Sequence, residues 1–416
     1  MTSFWHPFAD MGAVENAALS IVRGRGVWVE DAGGRSYLDA TASLWCANAG
    51  HGRDEIAAAI SEQLAELDTY SCFGDFTNPQ AERLCERLAG YAAEPGAKVF
   101  LGSGGGDMVE TAAKIARAYF VQRGEPGRQH IIGRTNGYHG THGFGTSIGG
   151  IEANQTGFGQ LIPGSSQIPF DNADALAVEI DRVGAERVAA FVCEPVIGAG
   201  GVHLPPPGYL ERTAEICRER GVLFVSDSVI SGFGRLGTCF GIDRWDVVPD
   251  MVLLAKGITS GVLPLGAVVV SAKVAEPFFT GEAGAPVLRH GVTYAGHPVC
   301  CAAANATLDI YEREDLITRA NQLEGDLERA LRMVEGDPRV GEVRAGVGLI
   351  GAVELAADVL ARDPGAPLKL AMGCREQGVL VRPLGRGVAV SPPLTIAPDQ
   401  IDQIGQALVD SLHVVA

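Results

Sequence analysis

Short apolar runs and helical stretches alternate through the middle of the chain, from about residue 98 to residue 271. The apolar runs are rich in β-branched side chains and read KVFL, QHIIG, VAAFVC, VLFVS, MVLLA and GAVVVS. Between several of them lie stretches of helical periodicity, such as ETAAKIARAYFVQR and GYLERTAEICRERG. Strands that alternate with helices are joined by right-handed crossovers, so this pattern predicts an α/β domain with a mostly parallel sheet.

The pattern changes after Pro298, where two helical stretches follow one another, CCAAANATLDIYER and DLITRANQLEGDLERALRMV. Strands come next, and a final helix is predicted near residues 399–412. These elements predict a second, smaller α+β domain, and the first fifty residues read as strands and turns that join it. We therefore expect an N-terminal segment over residues 1–50, a large domain over 51–297 and a small domain over 298–416.

Composition narrows the class of protein. The 416 residues are 46% hydrophobic and 20% charged, as expected for a globular protein with a large core. The net charge of −17 argues against nucleic acid or an anionic membrane as a partner, because both require basic patches. The nine cysteines are scattered without a C-x-x-C pair, which favours a reducing compartment, the cytoplasm, over a disulfide framework or a zinc site. The N-terminal stretch MTSFWHPFADMG also lacks the features of a signal peptide.

The segment Met251–Ser271 is apolar enough to resemble a membrane span. It contains glycines, a proline and a central lysine, so we interpret it as two strands joined by a turn and a loop.

An isolated carboxylate follows one of the predicted buried strands. In LFVSDSVISGFGRLG, Asp227 is the only charged residue between Arg220 and Arg235. Open α/β sheets bind their ligands at the carboxyl ends of such strands, and a buried carboxylate there needs a cationic partner. The alternatives are a helix N-cap or a structural salt bridge to Arg235. The tail Gly232–Gly237 matches G-x-G-x-x-G, but no helical pattern follows it, which disfavours a dinucleotide site.

An isolated lysine follows another strand in the same way. Lys256 comes directly after MVLLA and is the only charged residue between Asp250 and Lys273. Apolar surroundings disfavour the charged form and lower the pKa of a lysine, and the uncharged amine is the form that attacks a carbonyl carbon. A structural ion pair is the alternative.

Two glycine-rich segments complete the candidate site. Gly104–Gly106 join the strand KVFL to a helix whose start suits a phosphate, although a simple helix cap would explain these glycines too. Tyr138 and His139 lie in NGYHGTHGFG, where an aromatic ring could stack on a planar group. Zinc binding by His139 and His142 is disfavoured, because no carboxylates lie near them in the sequence. A phosphate cradle, an aromatic platform, a buried carboxylate and a desolvated lysine are together what pyridoxal phosphate requires.

With these motifs the sequence resembles the class III, or ω-, aminotransferases of the fold-type I pyridoxal-phosphate enzymes. The motifs that carry the resemblance are DSVISGFGRLG, LLAKGITSGVLPLGA, TYAGHPVCCAAANATLDIYE, YHG and GSGGGDMVETAAK. The resemblance implies a large domain with a mostly parallel seven-stranded sheet flanked by helices, beside a smaller α+β domain. The chain departs from the family at Ser228, where a Glu is usual, and in its three successive glycines.

The resemblance also implies a role for each matching residue. Lys256 would form an aldimine with the cofactor and Asp227 would pair with its pyridine nitrogen. The remaining cofactor-binding residues would be Val229, Tyr138 and His139 at the ring, Gly105 and Gly106 at the phosphate, Thr293 from the partner of a homodimer or larger assembly, and Glu194 behind them.

The resemblance extends to residues that would contact the substrate. SLWCANAGHG and EPVIGAGGV resemble the branch that transfers amino groups between ω-amino acids or amines and pyruvate, by a ping-pong mechanism. Trp45 and Tyr138 would line the pocket and Arg382 would bind an α-carboxylate. Ala199 stands where the ornithine and γ-aminobutyrate branches carry a Glu, which favours a mobile arginine. For Trp45 the alternative is a core or interface aromatic. For the reaction, the alternatives are a racemase or aminomutase on the same fold, a dinucleotide-dependent oxidoreductase, and a binding protein without activity.

Overall fold

The strands form three sheets. The computed structural model describes residues 2–281 and 284–415 of the chain. Its strands are β1 (Ile21–Arg25), β2 (Trp28–Asp31), β3 (Ser36–Asp39), β4 (Lys98–Gly102), β5 (His130–Arg134), β6 (Ser165–Ile168), β7 (Val188–Cys193), β8 (Leu223–Asp227), β9 (Met251–Leu254), β10 (Gly266–Val270), β11 (Val340–Arg344), β12 (Gly351–Leu355), β13 (Val379–Leu380), β14 (Arg382–Pro383) and β15 (Gly387–Val390).

Helices cover the sheets and join their strands. The α-helices are α1 (Met11–Ala17), α2 (Ala42–Trp45), α3 (Asp54–Glu66), α4 (Pro79–Gly90), α5 (Gly105–Gln122), α6 (Gly143–Ile148), α7 (Asp174–Val183), α8 (Tyr209–Arg220), α9 (Ala272–Ala275), α10 (Pro298–Arg313), α11 (Leu316–Arg332), α12 (Ala357–Arg362), α13 (Ala366–Glu376) and α14 (Pro398–Ser411). Short 3₁₀-helices span Glu152–Asn154, Ala185–Arg187, Ile242–Trp245, Lys256–Thr259, Glu276–Phe278 and Leu412–Val414.

The central sheet has seven strands in the order β4-β10-β9-β8-β7-β5-β6. β10 is antiparallel to both of its neighbours, whereas the other pairs in this sheet are parallel. The prediction of a mostly parallel seven-stranded sheet is therefore confirmed, and each of the six apolar runs forms a strand. The edge strand β6 was not predicted, because its sequence SSQI is mostly polar and has no alternating pattern.

The helix α5 packs on this sheet through the face that its sequence pattern predicted. Met108, Ala112, Ile115 and Tyr119 are all buried, in a cluster that includes Leu253 of β9. Residues at these spacings lie on one side of an α-helix, so the apolar stripe is directed towards the core. Because α5 begins directly after β4, the packing places the first turn of the helix at the carboxyl edge of the sheet.

Two four-stranded sheets lie outside the central one. One has the order β1-β2-β3-β13 and the other β11-β12-β15-β14. β13 pairs in parallel with β3, with Val379 opposite Leu38 and Leu380 opposite Asp39. The first fifty residues thus share a sheet with the C-terminal part of the chain. The domain boundaries at residues 50 and 297 stay a prediction.

The apolar window at 251–271 folds as β9, a 3₁₀-helix, a loop and β10, as the sequence predicted. Among the described residues, no helix is both long and apolar enough to cross a membrane.

Candidate active site

A cavity of about 220 Å³ lies at the carboxyl edge of the central sheet. Its walls come from segments that directly follow β4, β5, β7, β8 and β9, and from the turn after residue 41. The lining residues are Leu44, Gly105, Gly106, Tyr138, His139, Gly140, Glu194, Asp227, Val229, Ile230 and Lys256. Parallel strands bring their carboxyl ends to one edge, so residues far apart in sequence meet there.

Asp227 ends β8 and is buried, with one side-chain oxygen held by a histidine. Nδ1 of His139 lies 2.7 Å from Oδ2 of Asp227, and the Val229 N–H donates to Oδ1 over 3.2 Å. The alternative of a salt bridge to Arg235 is wrong, because that guanidinium donates to the carbonyl oxygens of Leu349 and Pro392 and to a side-chain oxygen. The side chain that forms a hydrogen bond with the buried carboxylate is His139.

Arg235 instead joins distant parts of the chain. Its third partner is Oδ1 of Asn48, at 2.8 Å, and the guanidinium is fully buried. Burial lowers the pKa of Arg235 to about 10. The segment Gly232–Gly237 that contains it is a series of turns and opens no helix, as its sequence pattern predicted.

Lys256 follows β9 and faces the same cavity as Asp227. Its backbone has a φ of 48°, a left-handed conformation that is unfavourable for a residue with a side chain. Burial lowers the pKa of the Lys256 amine, and the charges of Asp227 and Glu194 oppose that shift only in part. Its Nζ makes no hydrogen bond or ion pair within residues 2–281 and 284–415. The side chain therefore carries an amine that is free to react.

Glu194 follows β7 and organises the loop that carries Tyr138. Its Oε1 accepts the Tyr138 N–H and its Oε2 accepts the Gly198 N–H, each over 2.9 Å. Burial raises the pKa of its carboxyl group. The guanidinium of Arg134 donates to the Glu194 backbone carbonyl and fixes the chain at the end of the strand. Glu194 thereby ties two loops of the cavity wall together.

The start of α5 packs against neighbours that leave no room for side chains. A Cβ atom at Gly105 would lie 2.9 Å from Cγ1 of Val229, and one at Gly106 would lie 2.4 Å from Nδ1 of His142. A Cβ at Gly140 would lie 2.8 Å from the Gly106 Cα. The N-cap, Gly104, offers no side-chain hydrogen bond, so the first-turn N–H groups keep their capacity to bind an anion.

In the turn at residues 42–45, Leu44 faces the cavity and its neighbour Trp45 faces the protein interior. Trp45 is only 2% exposed and packs in a small apolar cluster, whereas Leu44 is 48% exposed and lines the cavity. Ser43, with a φ of 61°, and Trp45, with a φ of 62°, produce this rotation of the chain. Trp45, the residue that the sequence proposed for the pocket, is thus placed behind the wall.

Arg382 lies above this turn, with its guanidinium carbon 6.0 Å from the centroid of the Trp45 ring. Within the described ranges the guanidinium has no hydrogen bond and no ion-pair partner. Burial lowers its pKa, opposed by the nearby Tyr138. Tyr138 itself lines the cavity, and burial raises the pKa of its hydroxyl. A half-buried cation without a partner is prepared to receive an anionic group.

Several other residues fall outside the cavity. Thr293 is exposed and does not line it, so the single chain does not bring Thr293 to its own site. Ser228 is buried with its hydroxyl 2.9 Å from Oγ of Ser226, away from the cavity. Within the part of the chain that the structure describes, no three His, Cys, Asp or Glu side chains form a metal-binding group.

Sequence reasoning missed three residues of the cavity wall. They are Leu44, Gly140 and Ile230, each next to a residue that was predicted. Proximity to a motif was the only signal available, because which neighbour faces the cavity depends on local backbone geometry.

The arrangement fits pyridoxal phosphate. The glycine start of α5 offers N–H groups without obstructing side chains, Asp227 presents a carboxylate held by His139, and Lys256 presents an amine of lowered pKa. An anion, a ring nitrogen and an aldehyde are the three groups that residues of these types can bind.

Comparison with known proteins gives the same result. The family model described as aminotransferase class-III matches residues 11–412. An omega-aminotransferase of Caulobacter vibrioides is 37% identical over 98% of this chain and 96% of its own length. A beta-alanine–pyruvate aminotransferase of Pseudomonas aeruginosa is 34% identical over 100% of this chain and 96% of its own.

Solved structures agree with the sequence relatives. The crystal structure of an amine transaminase from an uncultivated Pseudomonas species, in its PLP-bound form, has a TM-score of 0.95 and 39% identity, over 100% of this chain and 99% of that one. An (S)-enantioselective omega-transaminase from Thermomicrobium roseum has a TM-score of 0.93 and 38% identity, over 99% and 96%. The chain belongs to the class-III aminotransferases, enzymes that depend on pyridoxal phosphate.

Proposed function

We propose that the protein transfers an amino group from an amine or ω-amino acid to a keto acid, with pyruvate as the acceptor, in a ping-pong cycle. The observation that carries this proposal is that Lys256, with its lowered pKa, and Asp227, with its histidine partner, face one cavity. Two relatives, named as putrescine–pyruvate and beta-alanine–pyruvate aminotransferases, support pyruvate as the acceptor.

Bound in this cavity, pyridoxal phosphate supplies an aldehyde and an electron-withdrawing ring. The residues of the chain bind it and move protons. Lys256 would hold the cofactor covalently through its Nζ, and the same amine would carry a proton to and from the substrate carbon. Burial favours this role, because it lowers the pKa of the Lys256 amine and so increases the share of the uncharged form, which can accept a proton.

Asp227 would keep a proton on the ring nitrogen, and His139 would hold the carboxylate in place for that task. Val229 and Tyr138 would contact the two faces of the ring, since both line the cavity. Gly105 and Gly106 would bind the phosphate through their N–H groups. Glu194 would act indirectly, because it holds the Tyr138 backbone.

Arg382 would bind the carboxylate of a keto acid or amino acid. Its guanidinium has no hydrogen-bond or ion-pair partner within residues 2–281 and 284–415 and lies near Tyr138. A planar guanidinium binds a carboxylate through two parallel hydrogen bonds, which gives affinity and orientation. An amine donor without a carboxylate would not need this contact.

A homodimer with shared sites is also part of the proposal. Thr293 is exposed on this chain and outside its cavity, as expected for a residue that completes the partner's phosphate site. We further propose the domain division at residues 50 and 297, and residence in the cytoplasm in keeping with the scattered cysteines.

The test is an absorption spectrum of the purified protein with pyridoxal phosphate, first alone, then with an amine or ω-amino acid, and last with pyruvate. We expect a visible band that the donor bleaches and pyruvate restores. Lys256→Ala should lose the band of the lysine-bound cofactor, whereas Lys273→Ala, at an exposed lysine that pairs with Asp250, should keep it. Donor interconversion without any acceptor would contradict transamination and indicate an isomerase.

A further inference from the structure

Residues 104–106, at the start of α5, are all glycines. These three positions therefore provide no side chain that could contact a phosphate. Asp107, the acidic residue of this turn, is engaged elsewhere, since its Oδ2 accepts the Ser103 N–H over 2.7 Å. The N–H groups of the turn remain, but N–H groups alone bind an anion less tightly than they do together with a side-chain donor.

The space that a side chain of residue 106 would occupy is filled by His142. Nδ1 of His142 lies 2.4 Å from the place where a Cβ of residue 106 would be, and Cε1 lies 2.8 Å from it. The imidazole therefore stands at the helix start in the position of a side chain of residue 106. Its ring makes no hydrogen bond or ion pair within the described residues, and it is exposed and lines a second cavity, of about 590 Å³.

The loop that carries His142 is fixed to α5. Oε1 of Glu110, one helical turn further along α5, accepts the N–H groups of Phe144 and Gly145 over 2.6 and 3.2 Å. Gly140 approaches Gly106 so closely that a Cβ on Gly140 would lie 2.8 Å from the Gly106 Cα. These contacts place the imidazole beside the first turn of α5 before any ligand binds.

We propose that His142 donates a hydrogen bond to the phosphate of pyridoxal phosphate and replaces the side-chain donor that the three glycines lack. The inference rests on the proposed cofactor site and adds a residue to it. An imidazole N–H donates readily to a phosphate oxygen, and the bond is strengthened by the charge of the acceptor. The close packing explains why residue 106 is glycine: a side chain there would displace the ring.

The test is the dissociation constant of the apoenzyme for pyridoxal phosphate and, separately, for pyridoxal, which lacks the phosphate, measured by protein fluorescence. For His142→Ala we expect the affinity for pyridoxal phosphate to fall roughly tenfold or more and the affinity for pyridoxal to stay unchanged. His413→Ala, at an exposed histidine on the last turn of the chain, should change neither constant. The phosphorus NMR shift of the bound cofactor should also change in His142→Ala alone.

A second variant pair tests the geometry. Gly106→Ser should weaken binding of pyridoxal phosphate because its Cβ would collide with the imidazole, and Gly106→Ser combined with His142→Ala should bind more tightly than either single variant. The proposal is overturned if His142→Ala binds pyridoxal phosphate like the parent, or if it loses the same factor for pyridoxal, which would indicate a structural role. Failure of the parent enzyme to bind pyridoxal phosphate would instead overturn the cofactor site itself.

Discussion

Nδ1 of His139 lies 2.7 Å from Oδ2 of Asp227, and both side chains are buried at the carboxyl edge of the central sheet. They are 88 positions apart in the sequence. The other ring nitrogen of His139, Nε2, is buried without a partner among the described residues, so the bond through Nδ1 is the one that holds the imidazole. His139 is thus a positioning residue for the carboxylate that is proposed to face the cofactor nitrogen.

This relationship predicts the behaviour of two variants. His139→Ala should lower kcat/KM roughly 10- to 100-fold, because Asp227 loses the hydrogen bond that fixes its orientation. His139→Asn should recover much of the loss, since its amide nitrogen can take the place of Nδ1. Steady-state kinetics with both variants checks this, together with cofactor affinity. Equal losses in both variants, with unchanged thermal stability, would contradict the positioning role.

Arg382 predicts a selective effect on carboxylate substrates. In Arg382→Leu the KM for pyruvate should rise roughly tenfold or more, because a two-point contact with the carboxylate is lost. The half-reaction with a simple amine, followed by the bleaching of the visible band, should keep its rate. Arg386→Leu is the matched control, since that arginine is exposed and paired with Glu354. A similar loss for amine and keto acid would argue against the carboxylate contact.

The proposed sharing of sites between subunits predicts complementation. Lys256→Ala removes the proposed attachment point, and Thr293→Ala should weaken the phosphate contact that is proposed to reach the partner. A mixed dimer of the two variants would contain one site with both native residues. Co-refolded mixtures should therefore show more activity than the two variants measured separately. If Thr293 acted within its own chain, mixing would give no gain.

Asp39 predicts a dependence of stability on pH. Its carboxylate accepts the Ser43 N–H over 2.6 Å and lies 2.8 Å from Nε2 of His51, and so it holds the turn that directs Leu44 into the cavity. Burial alone would raise the pKa of Asp39, but hydrogen bonds from His51, Thr41 and the Ser43 N–H outweigh it and hold the pKa below its ordinary value of 3.8.

A depressed carboxyl pKa stabilises the fold above the unfolded-state value, and the contribution disappears as the pH falls through the folded-state value. Asp39→Asn should therefore lower the free energy of unfolding by about 2 kcal/mol at pH 7. The difference from the parent should shrink below about pH 4. Urea unfolding at pH 7 and near pH 3.5 measures both values. A difference that is independent of pH would show that the carboxylate charge is not responsible.

Much of the fold follows from local pattern. The six apolar runs form strands where the sequence placed them, and the stripe from Met108 to Tyr119 is buried. Asp227 and Lys256 could be singled out because each is an isolated charge after an apolar run, and the ends of parallel strands meet at one edge. Strand β6 could not be predicted in this way, because its residues are mostly polar and form no apolar run.

The sequence by itself thus determined six of the seven strands of the central sheet, the glycine start of α5 and the two charged residues at the strand ends, because each depends on neighbouring residues and on side-chain period. Only the tertiary structure decided the partner of Asp227, which is His139 and not Arg235, and the side chain that faces the cavity, which is Leu44 and not Trp45. It also placed His142 against Gly106. These contacts depend on backbone rotation within a turn and on the packing of segments that are distant in sequence. Neither produces a periodic hydrophobic pattern in the sequence.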